Sequence, residues 1–307
     1  MKNKDFLAFG SAMGAMFFWS FSFVWFKIAF IAYDPLTVVI FRLAIAAILI
    51  TIIAISLKRL QKPTRKDLRL FIIMAFFEPF IYFLGESYGL KYVSSTVAAV
   101  IVSTIPLFSP IIVWYFYKEK ISWMNIVGLL FSFVGVGFVV LNKSLQLDAS
   151  PLGVGLEFMA VFAAIGYTVV LKNLVAKYNT LTIIAYQNII GIIFFLPIWL
   201  IVDFNTFINT PFHAQAFRAI ILLAVFSSTL AFVLFTQSVR QIGITRSNTF
   251  INLIPVFVAL FSFYILKDEL GLQKIIGIVI VVAGLFLAQI KSKSRNEKEE
   301  TVEVHRK

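Results

Sequence analysis

The chain contains no cysteine among its 307 residues. Disulfides, thiolate catalysis and cysteine-based metal centres are therefore excluded. Histidine is almost as scarce. His213 and His305 are the only two, and neither has a metal-ligand partner at a useful spacing. Charge is also low, at 14% of residues, where a soluble domain carries about 25%. No glycine-rich phosphate loop of the Walker type is present. These gaps remove the usual equipment of an enzyme: no nucleophile–base pair, no metal cluster and no nucleotide cradle. No catalytic residue, cofactor or metal is expected.

What the chain has instead is apolar bulk. Apolar residues make up 60% of it, Phe occurs 35 times, and mean hydropathy is +0.93. The hydrophobicity is spread over ten runs, each near the roughly 20 residues that cross a hydrocarbon core. The expected spans are Leu7–Phe30, Leu36–Leu57, Leu70–Leu90, Val93–Tyr117, Trp123–Leu141, Leu152–Leu171, Leu181–Val202, Phe217–Val239, Ile244–Leu266 and Leu272–Ile290. The first is too long and aromatic for a signal peptide and reads as a retained helix. Loops are short, the longest being Lys58–Arg69 and Asp203–Ala216. Residues 291–307 are charged and poor in apolar residues, and are expected to form a disordered cytoplasmic tail.

The net charge of +12 would suggest nucleic acid in a soluble protein. Here no basic domain exists to bind it, and the charges set topology instead. Lys58, Arg59, Lys62, Arg65, Lys66 and Arg69 crowd one loop, which is expected inside the cell. Alternation puts the Lys172–Lys177 and Arg240–Arg246 segments and both termini on the same side. The expected location is a bacterial inner membrane, multi-pass, with the lipid bilayer as the constant partner. Monomer and homodimer are both open.

The chain repeats itself. A shift of 145 places Lys27 on Lys172 and Asp34-Pro35-Leu36-Thr37 on Asn179-Thr180-Leu181-Thr182. Further along, a shift of 149 places Pro106 on Pro255, Gly128 on Gly277 and Gly135 on Gly284. Each half holds five spans, an odd number, so the second half is inverted in the membrane. The expected fold is all-α, ten transmembrane helices as two inverted five-helix repeats, over residues 1–145 and 146–290. Secondary transporters are built this way, with a site near the midplane between halves.

At the level of motif, the chain resembles the drug/metabolite transporter superfamily, specifically its ten-helix EamA-type permeases. The resemblance rests on Phe18-Trp19-Ser20-Phe21-Ser22-Phe23 with Lys27, Phe41-Arg42-Leu43, the run Glu86 to Ser95, Pro106 with Glu119, and Pro255 with Lys267-Asp268-Glu269. It implies a central cavity lined mainly by helices 1, 3, 4, 6, 8 and 9. It also implies a secondary transporter for an amino acid or related amphipathic metabolite, with export as the direction. A passive facilitator is the first alternative and a membrane enzyme a distant one.

Ionisable groups inside a span are costly, roughly 2.5–3.5 kcal/mol at a helix centre, so each is a functional candidate. Glu78, Tyr82 and Glu86 form an i, i+4, i+8 stripe on helix 3, and Pro79 interrupts the helix beside Glu78. The carboxylates are read as substrate-amine or proton-coupling groups, or as buried acids paired with a base. Trp19, Tyr167, Asn248 and Asn252 complete the candidate substrate site. Lys27, Arg42 and Glu157, with Glu86, are candidates for an outer charge cluster that gates the path; an Arg42–Glu86 ion pair is the plainer reading. Tyr186 and Trp114 are further candidate aromatics.

Overall fold

A computed structural model describes residues 3–108, 123–140, 149–267 and 271–289. Ten apolar helices carry the described chain: α1 (Asn3–Ala29), α2 (Pro35–Ser56), α3 (Arg65–Tyr92), α4 (Ser95–Phe108), α5 (Trp123–Val140), α6 (Pro151–Val175), α7 (Thr180–Val202), α8 (Ala214–Ile242), α9 (244–266) and α10 (Leu272–Gln289). Seven are long and apolar enough to span a bilayer, and three are shorter apolar helices. The far end expected for helix 4, with Trp114 and Glu119, lies outside the described residues, as do Asp268, Glu269 and the tail. The expected Asp203–Ala216 loop holds a short helix, Phe204–Asn209, and α8 already begins at Ala214.

Helix starts follow local chemistry. Pro35 and Pro151 occupy first-turn positions that need no backbone donor. Thr64, Ser94, Asn179 and His213 each accept from a first-turn N–H, capping α3, α4, α7 and α8. The α8–α9 junction is a single residue, Gly243 at φ 79°, a backbone state that favours glycine.

The inverted repeat is visible in the packing. Helices α5 and α10 cross where a Cβ on Gly135 would lie 2.8 Å from Gly277 O, and one on Gly284 would lie 2.8 Å from Gly128 O. The 149-residue shift exchanges these two contacts. Ser132 and Val281, equivalent under the same shift, meet through a Ser132 Oγ–Val281 O bond of 3.3 Å. The pseudo-two-fold axis therefore passes through this crossing, and small residues let the backbones approach.

Both membrane-facing ends repeat the same latch. At one end, Thr64 N donates to Tyr178 Oη (3.2 Å); at the other, His213 N donates to Tyr33 Oη (3.2 Å). Tyr33 and Tyr178 are repeat mates, as are Thr64 and His213. The first end carries in addition Lys177 Nζ–Asp67 Oδ1 at 2.6 Å and Tyr178 Oη–Asp67 Oδ2 at 2.9 Å. It gathers the basic segments that alternation assigns to one side: Asn179 Nδ2 binds Arg59 O, and Arg240 binds Tyr178 O. The opposite end pairs Lys91 with Asp34 at 3.0 Å, and Asp203 accepts from Thr37 N at 3.0 Å.

Candidate transport cavity

The inner helices are broken at matching depths. In α3, Glu78 leaves helical geometry (φ −145°, ψ 116°), and residues 76–81 form a widened turn. Pro79 is the cause. It offers no N–H, and its ring drives the preceding residue to extended backbone. In α8 the equivalent stretch, Leu223–Ala231, is also widened. There no proline acts; Thr229 Oγ1 donates to Ala224 O (2.9 Å), five residues back. Helix α4 turns at Ser103–Thr104 just before Pro106, and α9 tightens over Phe250–Leu253 just before Pro255. Irregular backbone at membrane depth is tolerated where it is buried in protein or lines a cavity.

Such a cavity is present, a narrow one of about 50 Å³. Helix α1 supplies Trp19, Ser22 and Phe23. Helix α3 supplies Glu78, Tyr82, Phe83 and Glu86, and α6 supplies Ala164, Tyr167 and Thr168. Phe232 and Phe235 come from α8, Asn248 from α9, Val102 and Ile105 from α4, and Arg42 from α2. The six helices implied by the resemblance all contribute, and α2 joins them through one arginine. Of the seven expected substrate-site residues, six line the cavity. The seventh, Asn252, is buried at 1% exposure away from the lining, with neither amide atom hydrogen-bonded among the described residues. Tyr186 packs its ring on Phe71 instead.

The charged groups separate into two kinds. Arg42 is held by one hydrogen bond, a neighbouring carboxylate and two rings, while its Nη1 makes no hydrogen bond among the described residues. Its Nε donates to Ser228 Oγ at 2.8 Å, Nη1 lies 4.0 Å from Glu86 Oε2, and the guanidinium carbon sits 4.2 Å and 5.0 Å from the ring centres of Phe83 and Phe26. Glu86 also accepts from Tyr82 Oη at 3.1 Å. The Arg42–Glu86 pairing read from helix depth is thus present, as a buried pair held in aromatic walls. Glu78 is different. It is 6% exposed, lines the cavity, and no hydrogen bond or ion pair reaches its carboxylate among the described residues. The expected stripe therefore survives although Glu78 itself is not helical.

Lys27 does not reach out to the interface. Its ammonium donates to Leu90 O (2.5 Å) and Val93 O (2.7 Å), satisfying carbonyls where α3 ends. Glu157 is fully buried against Gly89, with neither oxygen hydrogen-bonded among the described residues. The charges acting on it come from Glu86 and Lys27, so the four members of the expected outer cluster are neighbours.

Sequence reasoning missed the phenylalanine walls, Thr168, Ser22 and the Ser228 contact. Repetition held the usable signal: Ser227-Ser228-Thr229 in α8 falls on Glu78-Pro79-Phe80 under the 149 shift, marking a second mid-membrane break.

The EamA-like transporter family matches this chain twice, over residues 7–141 and 151–289. The chain belongs to the EamA-like transporter family. It is a multi-pass membrane transporter and not an enzyme. Among its relatives is an uncharacterized transporter of Archaeoglobus fulgidus, 26% identical over 278 residues, covering 90% of this chain and 95% of that one. Another is the uncharacterized transporter YetK of Bacillus subtilis, 27% identical over 233 residues, covering 75% and 70%. One solved structure matches with a TM-score of 0.69 at 14% identity, over 92% of this transporter and 98% of that chain. At that identity the likeness is one of fold.

Proposed function

We propose that this transporter carries a small amphipathic metabolite, an amino acid or related compound, out of the cell by alternating access, using the cavity at the centre of its two inverted halves. The observation that carries the reading is the coincidence of three features at one depth: paired helix breaks, an aromatic-lined cavity, and a buried acid facing it without a partner. Inverted repeats with discontinuous helices at the midplane are the architecture of rocking carriers. Export comes from the family resemblance. The two halves are taken as residues 1–145 and 146–290. Both termini are placed in the cytoplasm of a bacterial cell, because the end that gathers Arg59, Lys177 and Arg240 is the basic one.

In this reading Glu78, Tyr82, Trp19, Tyr167 and Asn248 meet the substrate, and Glu78 is also the group able to exchange it for a proton. The neighbouring charges of Lys27, Arg42, Glu86 and Glu157 serve as an outer gate; charge-neutral substitutions there that leave flux unchanged would remove that role. The test of the whole is uptake of a labelled amino-acid and amine panel into proteoliposomes, with and without a pH gradient, for wild type and Glu78→Gln. Saturable flux that rises with the gradient and collapses in the variant supports a proton-coupled carrier. Flux that grows linearly with concentration indicates the passive alternative.

A further inference from the structure

We propose that α3 and α6 form a binding site for an anionic phospholipid, with its phosphate held by Arg65 and Arg69 and one acyl chain laid along α3 into an apolar groove at the break of that helix. The proposal uses neither the substrate nor the direction of transport.

The head of the site is a set of cations without anions. Residues 58–69 carry Lys58, Arg59, Lys62, Arg65, Lys66 and Arg69, all exposed, and a single acid, Asp67. Asp67 is turned inward and tied to Lys177 and Tyr178, at 2.6 and 2.9 Å. No side-chain hydrogen bond or ion pair reaches any of the six basic groups among the described residues. The stretch is nonetheless fixed in place. Gln61 N donates to Thr182 Oγ1 at 2.9 Å, Asn179 Nδ2 donates to Arg59 O, and Thr64 N donates to Tyr178 Oη. The charges are thus presented on ordered backbone at the end of a membrane span, the level at which anionic headgroups lie. A guanidinium matches a phosphate with two parallel hydrogen bonds.

The seat of the chain follows from helix geometry. Asp67, Phe71 and Met74 form the buried face of the first turns of α3. On the opposite face Arg65, Leu68, Arg69, Ile72, Ile73 and Phe76 recur at three- and four-residue spacing, and all six are exposed. Two guanidiniums therefore head an apolar stripe, the order of groups in a phospholipid. The stripe runs into a groove between α3 and α6, lined by Phe76, Phe77, Ile81, Phe158, Met159 and Phe162, with no polar side chain in its walls. At about 1.5 Å per residue, Phe76 and Ile81 lie about 10 and 18 Å beyond Arg69. One leaflet's share of the hydrocarbon core is about 15 Å, so a chain anchored at Arg69 ends in the groove. The groove sits on the break itself. Residues 76–81 are the widened turn, Phe77 packs on Gly166, and Glu78 beside it faces the cavity. An acyl chain there covers the break from the lipid side. A second copy meeting this face would set its own six cations against these, which disfavours a protein occupant.

The test titrates the full chain in detergent with palmitoyl-oleoyl phosphatidylglycerol, or with the phosphatidylcholine of the same chains, and counts bound lipid by native mass spectrometry. The expected result is one phosphatidylglycerol bound at least tenfold more tightly than phosphatidylcholine. Arg65→Gln with Arg69→Gln brings the two lipids within twofold of each other. Removing two exposed cations elsewhere, Lys58→Gln with Arg218→Gln, keeps the preference above fivefold. Gly155→Leu places a side chain in the groove where a Cβ meets open space; it weakens both lipids at least threefold and keeps the preference. Dioctanoyl phosphatidylglycerol, whose chains stop at the rim of the groove, binds at least fivefold more weakly than the long-chain lipid. Equal affinity of the wild type for the two long-chain lipids overturns the proposal, and that comparison stands even if a variant folds poorly. Equal loss in the two charge variants overturns it in favour of a general attraction to the basic end. Binding indifferent to both chain length and Gly155→Leu overturns the groove as the seat of the chain. Dimer formation that expels the lipid and is lost in Gly155→Leu gives the groove to a second copy and overturns the lipid site.

Discussion

Removing the carboxylate of Glu86 strands a guanidinium inside the membrane domain. The Arg42–Glu86 separation of 4.0 Å corresponds to a Coulomb attraction of about 4 kcal/mol at an effective dielectric of about 20. Breaking one partner of a buried pair typically costs about 3–5 kcal/mol, because the other charge stays desolvated. Two contacts soften the loss here: Ser228 keeps its bond to Nε, and the Phe83 and Phe26 faces keep their cation contacts. We therefore expect Glu86→Gln to destabilise the protein by about 3 kcal/mol. Arg42→Met in the Glu86→Gln background adds little, since Met fills the space between the rings and leaves no buried charge. The coupling energy from the double-mutant cycle is about 2–3 kcal/mol. Reversible unfolding in mixed micelles, titrated with sodium dodecyl sulfate, provides the measurement. Additivity of the two substitutions within about 0.5 kcal/mol would refute the claim that Arg42 and Glu86 act as a pair.

Two further outcomes follow from packing and from the latches. Gly135→Val and Gly284→Val, equivalent under the repeat, each force α5 and α10 apart and cost roughly 1–3 kcal/mol by overpacking, to similar extents; Gly137→Ala, where a Cβ meets open space, is neutral or slightly stabilising in the same unfolding assay. The Asp67 carboxylate beside Lys177 raises the Lys177 ammonium above the usual lysine range through their hydrogen bond. A raised base stabilises the folded state in full below its unfolded pKa and loses that contribution as pH rises through the folded value. The melting-temperature gap between wild type and Lys177→Met should accordingly be constant near neutrality and close under strongly alkaline conditions. High salt shrinks it too, because Lys177 is half-exposed.

Much of the architecture was legible because hydropathy and repetition act along the chain. Ten apolar runs gave ten helices, and alternation of Lys and Arg grouped Arg59, Lys177 and Arg240 at one end, where the structure has them. Glycine and proline register gave the repeat, and the structure places those residues at the α5–α10 crossing and beside the breaks in α4 and α9. The cavity acids were legible because a carboxylate within an apolar run has few reasons to be there. The rest depends on contacts between distant segments. Ser228 pairing with Arg42 leaves no local trace, and neither does Lys27 closing α3 through the Leu90 and Val93 carbonyls. Phe232 and Phe235 could not be singled out among 35 phenylalanines, since packing, lipid contact and cavity lining all select the same side chain. The widened turn in α8 has no proline to announce it, only a serine–threonine cluster of which Thr229 bonds the loosened backbone at Ala224 O.

The absence of cysteine makes the central claim directly measurable. Thr168 lines the cavity from α6 and, among the described residues, its hydroxyl bonds the Ala164 carbonyl of its own helix, so Thr168→Cys places one thiol in the proposed path without removing a described interhelical hydrogen bond. Labelling by a membrane-impermeant maleimide is then compared in right-side-out and inside-out vesicles. Alternating access predicts modification from both sides, slowed on both by saturating substrate. Labelling from one side alone, under every substrate and pH condition, would contradict a path through this cavity.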